Sequence, residues 1–459
     1  MHPPYRWIIF ILIGVVLLAG LSVAAYNIPP VHQHLAWRVE DVISRVHNLI
    51  SPPQREVFIP EGGQNADVAT MVAATMQALT PSPTATCAPG ECITPTAKCS
   101  NGSCETPTVE NSPTTTPTSP PTLTPTAIPA QALLKGIVHE YQKMNNCGPT
   151  NLAMALSYWG WKGDQMTTAA YLRPGFKPDS PDNKDDKNVM PYEMVNFVQE
   201  QTNFSIVERT GGDLNLLKDF IAAGFPVLIE KGFEGIQFEG WMGHYEVVNG
   251  YDDAQSEFIV QDSYNGPDQK VSYSSMESYW RAFNDVYMVI YPPDRENQVT
   301  SILGPQADPA YNKQYTAQKA ADEIPQLNGR DKFFALYNRG SSLVALQDYA
   351  GAAAAYDQAF QIYPSIPEDK RPWRITWYET GPYFAYYYTA RYNDIINLAT
   401  QTLESTTVPG LEESWVWRAR AEIALGDTTD AISDLRTALQ WHPGFQPALD
   451  DLAQLGVSP

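Results

Sequence analysis

The 459 residues are 43% hydrophobic and 11% aromatic, enough for two or three folded units, which excludes a chain disordered throughout. Thirty Lys and Arg against 51 Asp and Glu leave a formal charge of −21. No basic patch with interleaved aromatics accompanies that charge, so a nucleic-acid partner is not expected. Five cysteines and seven histidines leave few ways to build a nucleophile or a metal site, and the sequence carries no cofactor or metal signature.

Residues 1–6 read as a short cytoplasmic tail carrying Arg6, and residues 7–25 are apolar without a charge. That run approaches the ~20 residues needed to span a bilayer. The positive flank at Arg6 would leave the rest of the chain outside the cytoplasm. The expectation is a signal anchor in the cell membrane. The alternative is a signal peptide cleaved after Ser22-Val23-Ala24 and a secreted product. Residues 26–79 read as a juxtamembrane region, with apolar residues at helical spacing over 35–50 and 65–79.

Residues 80–131 are rich in Thr, Pro and Ser, and no Phe, Trp or Tyr occurs between Phe58 and Tyr141. Such a segment cannot bury apolar area to offset its ordering entropy, so it is a spacer. Four cysteines lie within it as a repeat, Cys87 with Cys92 and Cys99 with Cys104, each pair enclosing four residues with Gly third. In an oxidising compartment two small disulfide loops are expected. The spacing suits a four-Cys zinc site poorly.

Cys147 then stands alone. It precedes Gly148-Pro149 and a run over 149–158 that is apolar at helical spacing. That places the thiol at a helix N-terminus, where the dipole and free N–H groups favour thiolate. Only His139 and His244 lie between the spacer and residue 300. His139 is close to Cys147 along an extended run, whereas His244 opens a strand in GHYEVVNGYDD. A second strand, EFIVQDSYNG, follows a tight turn and brings Asp262 opposite. A thiol at a helix start, an imidazole on a strand and a carboxylate on the next strand have the chemistry of a Cys-His-Asp nucleophile.

Gln142 to Pro149 (Gln-x-x-x-x-Cys-Gly-Pro), Gly243-His244-Tyr245-x-Val247-Val248 and Gln261-Asp262-Ser263-Tyr264 resemble the motifs of the bacteriocin-processing, double-glycine-leader cysteine peptidases. The resemblance covers about residues 133–294. It implies an α+β papain-like domain, with Cys147 as nucleophile, His244 as general base and Asp262 as orienter. Gln142 would share an oxyanion hole with the Cys147 N–H. Asn146 stands where many members have Asp, and the Gln-to-Cys gap is one residue shorter than usual. The domain is expected over 132–298, with a helix over 213–223 closed by Gly224, a strand over 225–230 and a solvated acidic loop over 179–186. Trp241 and Met242 would line the cleft or fill core.

After a connector at 299–330, residues 331–459 read as helices with an internal repeat. Gly340, Ala352 and Pro364 are spaced twelve apart, as are Ala419, Ala431 and Pro443. This is similar to tetratricopeptide repeats, and implies an all-α solenoid that presents a groove to a protein partner. The aromatic run over 373–392 would line that groove or pack the repeats. The combined expectation is an exported, membrane-tethered cysteine peptidase acting on a peptide or protein substrate. A catalytically silent cell-surface binding protein and a transglutaminase-like thiol acyltransferase or amidase are the alternatives.

Overall fold

The computed structural model describes residues 58–60, 128–175, 188–234, 240–406 and 408–459, together with Gly14. The expected membrane segment, juxtamembrane helices, cysteine loops and acidic loop lie outside those residues. No described helix is long and apolar enough to cross a membrane.

Strand β1 (Gln131–Leu133) leads into an extended run and then helix α1 (Cys147–Tyr158), followed by α2 (Gln165–Leu172) and α3 (Pro191–Gln201). Next come β2 (Ser205–Arg209), α4 (Leu214–Ala222), β3 (Val227–Glu234), β4 (Trp241–Asp252), β5 (Glu257–Asp262), β6 (Gly266–Ser272), α5 (Tyr273–Trp280) and β7 (Tyr287–Tyr291). All pairings are antiparallel, in the order β2-β7-β3-β4-β5-β6 with β1 added against β4. The expected helix over 213–223 is α4, capped by the Asp213 side chain. Gly224 follows it at φ +85°, a left-handed position that favours glycine.

Helix α1 is apolar on every side, and Leu152, Ala153, Met154, Ala155 and Leu156 are all buried. A helix of that pattern belongs inside a domain. It packs on β4, which is buried along nearly its whole length. The nucleophile candidate therefore sits at the start of a central helix, opposite a central strand.

The stretch expected as a connector is helical: α6 (Glu296–Leu303) and α7 (Pro309–Glu323). Asn312 and Thr316 on α7 hydrogen-bond the Thr210 carbonyl at 2.9 and 3.1 Å, tying it to the sheet domain. Eight more helices complete the chain: α8 (Gly329–Ala345), α9 (Tyr349–Ile362), α10 (Ile375–Tyr378), α11 (Gly381–Tyr388), α12 (Tyr392–Glu404), α13 (Glu412–Leu425), α14 (Thr428–Trp441) and α15 (Gln446–Gln454). The repeat positions explain themselves in α8 and α9, where a Cβ on Gly340 would lie 2.6 Å from the Tyr356 ring. Ala419 and Ala431 are fully buried where α13 meets α14. Of the aromatic run, Tyr383 and Tyr386 fill the helical core, Trp373 and Tyr378 turn toward the sheet domain, and Trp377 offers it only a backbone carbonyl while its indole donates to Ser405.

Candidate active site

Cys147 is the first residue of α1, and Asn146 before it provides no side-chain cap. The early N–H groups of the helix are thus free to point at the thiol. Burial alone would push the thiol up. Hydrogen bonds and charge from His244, with hydrogen bonds from the Tyr245 and Gly148 backbone, overcome it and lower the pKa. His244 is buried on β4, and its Nε2 lies 2.9 Å from Asp262 Oδ1 at the end of β5. That bond leaves Nδ1 as the ring atom for the thiol. Burial opposes charge on the ring too, but Asp262 and Cys147 raise its pKa to about 10. Asp262 is held well below the usual carboxylate range: desolvation acts against ionisation, and the His244 charge outweighs it. The backbone N–H groups of Tyr264 and Asn265 donate to the same carboxylate at 2.8 and 3.0 Å, and Asn265 Nδ2 donates at 2.7 Å. The arrangement favours a thiolate facing an imidazolium that leans on a carboxylate.

Gln142 comes to the same place by a different route. Its backbone N–H donates to the Ser263 carbonyl at 2.9 Å, and its Oε1 accepts from Ser263 Oγ at 2.7 Å. The amide oxygen being used, Nε2 remains as a donor. Ser263 Oγ in turn accepts from Asn151 Nδ2 at 2.8 Å. Asn151 also reaches the Cys147 and Tyr245 carbonyls, at 2.9 and 2.7 Å. One fully buried amide on α1 therefore ties together the residues that carry thiol, imidazole and Gln142.

Several supporting residues escaped the sequence reading. Asn151 is a polar residue within the apolar run of α1, and nothing in the sequence marks it. Gln165 is the hub of the loop before α1: its Oε1 accepts from the Lys143 N–H and Asn146 Nδ2, and its Nε2 donates to the Tyr141 carbonyl. No local pattern marks it. Asn146, singled out as a departure from the family pattern, is buried, and its Oδ1 accepts from Arg173 at 3.1 Å. Phe233 on β3 packs on His244 with ring centroids 5.2 Å apart. His139 packs edge-on against Tyr141 at 4.9 Å, and burial lowers its pKa. Among the described residues, Glu193, Glu412 and His442 are the one trio with potential metal-ligand atoms within 4.8 Å of one another. None of them belongs to the Cys147 group.

Residues 134–288 match the model of the peptidase C39-like family, and residues 333–366 match that of the tetratricopeptide repeat. No curated protein matches the chain. Among solved structures, a C39-like peptidase from Bacillus anthracis is similar at 20% identity and a TM-score of 0.29, over 35% of this chain and 96% of that one. A double-glycine-motif protease from a transporter, solved with its leader peptide, is similar at 16% identity and a TM-score of 0.25, over 35% and 94%. Xylellain, a cysteine protease from Xylella fastidiosa, is similar at 13% identity and a TM-score of 0.27, over 36% and 87%. Residues 134–288 are a C39-like cysteine peptidase domain, and the helical region after it carries a tetratricopeptide repeat.

Proposed function

We propose that the protein hydrolyses peptide bonds through Cys147, His244 and Asp262, with Gln142 as an oxyanion donor. The observation that carries this reading is the His244 ring held between the Asp262 carboxylate at 2.9 Å and the Cys147 thiol. The thiolate attacks the scissile carbonyl carbon, and the oxygen takes the negative charge. The Cys147 backbone N–H and Gln142 Nε2 are the donors for it. His244 gives its proton to the leaving nitrogen, and the amine departs from a thioester. Water then loses a proton to His244, attacks the thioester and restores the thiolate. Asp262 keeps the ring oriented and charged without joining the bond changes.

The same reading has the chain exported and held at the cell membrane by the apolar segment over 7–25, with the folded regions outside the cytoplasm. The uncharged sequence of that run supports it. The helical region serves to recognise a protein, the usual work of tetratricopeptide repeats. An electrophilic peptide probe should label Cys147, and peptides released by the wild type should be absent with Cys147→Ala. Hydrolysis that persists in Cys147→Ala would overturn the proposal.

A further inference from the structure

Phe58 lies far ahead of β1 in sequence, yet it is buried in the helical core. Its ring meets Phe360 on α9 edge-on at 4.9 Å and Tyr386 on α11 at 6.3 Å. Ile59, the next residue, is 71% exposed. One side chain is therefore inserted while its neighbour turns to solvent. Phe58 is the one Phe, Trp or Tyr between Trp37 and Tyr141. It stands in a short apolar island, Val57 to Pro60, flanked by Arg55-Glu56 and by Glu61. A brief apolar stretch in a polar run, anchored by one aromatic, has the form of a linear recognition motif.

The receiving pocket is built largely from the repeat and the helices after it. Phe360 belongs to the tetratricopeptide repeat over 333–366. Trp373, Ile375 and Thr376 line the pocket from the α10 segment, and Leu398 and Thr402 from α12. A cavity of about 60 Å³ remains beside the Phe58 ring. Interiors leave few voids of that size, so Phe58 sits in its pocket as a ligand does and not as an interdigitated core residue. Trp373 and Ile375 flank Arg374, which donates to the Trp241 carbonyl of the sheet domain at 2.9 Å. A chain held here is held at the junction of the two folded regions.

Resting on the reading of the helical region as a recognition module, we infer that its ligand is this chain's own Phe58-Ile59-Pro60 segment, bound in cis and detachable. The sheet and helical regions are then held from residue 58 instead of from residue 128. Release adds the length of residues 61–127 to their reach, at most on the order of 200 Å at about 3.1 Å per extended residue. One buried ring is a modest anchor, and closing a loop of that length costs entropy. A competitor for the pocket can therefore open the contact. Linkage within one chain supplies a local concentration on the order of a millimolar or somewhat less. That exceeds the concentration of a second copy in dilute solution, which favours docking in cis.

The test follows amide hydrogen exchange in the full chain. Phe58→Ala should raise exchange over residues 372–378 and 398–405 about tenfold, while the sheet domain melts as in the wild type. A peptide of residues 54–62, Gln-Arg-Glu-Val-Phe-Ile-Pro-Glu-Gly, added at a few millimolar, should restore the protection. It should bind Phe58→Ala at least about tenfold more tightly than the wild type, whose pocket is already filled. Loss of the helical fold in Phe58→Ala, or protection that the peptide does not restore, makes Phe58 a fixed core residue and overturns the inference. Equal peptide binding by both forms also overturns it, and leaves the helical region a recognition module. Protection in the wild type that grows with protein concentration gives the pocket to a second copy and overturns docking in cis.

Discussion

The sheet domain and the helical region both bury ionisable groups in pairs, but they choose different partners. In the helical region three of the paired cations are arginines, beside His442 at 3.2 Å from Glu412. Arg391 reaches Asp357 at 2.9 Å and Asp394 at 2.7 Å, Arg418 grips Asp434 with two bonds at 2.6 and 3.0 Å, and Arg420 meets Asp451 at 2.7 Å. A guanidinium keeps its proton at any accessible pH, so these pairs hold helices together without exchanging a proton. In the sheet domain Lys231 pairs with Glu246 at 2.8 Å in the same structural manner, but a second buried cation is the His244 imidazole, and one of its partners is a thiol. Both titrate, and in the proposed function the same burial and charge pairing that fixes a helix elsewhere stores a nucleophile. What separates a structural pair from a reactive one is the ability of its members to exchange a proton.

The largest expected effect follows from that contrast. Cys147→Ala and His244→Ala should each lower turnover by about 10⁶, and the double variant should be no worse, because the two act as a unit. Kinetics on the three variants check this, and additive losses would show that the pair is not one device. Asp262→Ala should be milder, about 10³–10⁴ in turnover, because the ring loses its orientation and not its proton. The same change should lower the His244 pKa, since the Asp262 charge raises it.

Removing the permanent cation should act on the other region's stability. Arg391→Ala removes the shared cation of Asp357 and Asp394 in a partly buried setting, with Tyr386 still donating to Asp357, and should cost about 1 kcal/mol after allowance for solvent screening. Denaturant unfolding measures it. No change in the pH optimum of activity should accompany it, which is the sharper half of the comparison.

How much of this was legible in sequence depends on how local the signal is. Cys147, His244 and Asp262 stood out because reactive residues are scarce and each sits at a readable position: a helix start, a strand and the strand after a turn. The twelve-residue spacing of Gly340, Ala352 and Pro364 is equally local. Asn151 and Gln165 gave no such sign, and Ser263 stood in a motif without a role of its own. Their importance comes from contacts that only the folded chain creates, such as the Asn151 to Ser263 bond across 112 positions. The Arg374 bond to Trp241 spans 133, which is why the helical region reads in sequence as a separate module. The residues expected as a plain connector form α7 because Asn312 and Thr316 find Thr210 in the sheet domain.

The titration of the reactive pair gives a smaller, graded effect. Cys147 is lowered and His244 raised to about 10, which widens the pH range over which the thiolate–imidazolium form persists. Below the thiol pKa the thiolate gains a proton, and above the imidazolium pKa the ring loses its own; activity should fall about tenfold per pH unit on each side. In Asp262→Ala the alkaline limb should move to lower pH, because the charge that raised the imidazolium is gone. An alkaline limb that stays in place would assign it to another group.

The smallest expected effect concerns the support beneath the reactive pair. Ser263 is fully buried, and its hydroxyl accepts from Asn151 Nδ2 while donating to Gln142 Oε1. Ser263→Ala removes that donor and leaves Gln142 free to turn its amide, so turnover should drop about 5- to 10-fold, the rate equivalent of one net hydrogen bond. A purely structural role for Ser263 would lower the melting temperature and affect every variant alike. A role through Gln142 has a different signature. Gln142→Ala alone should cost about 100-fold, the loss of one oxyanion donor. Adding Ser263→Ala to it should then cost almost nothing more, because the serine would no longer have an amide to position. Full additivity of the two in turnover would detach Ser263 from the oxyanion donor and leave it as a tie between α1 and β5.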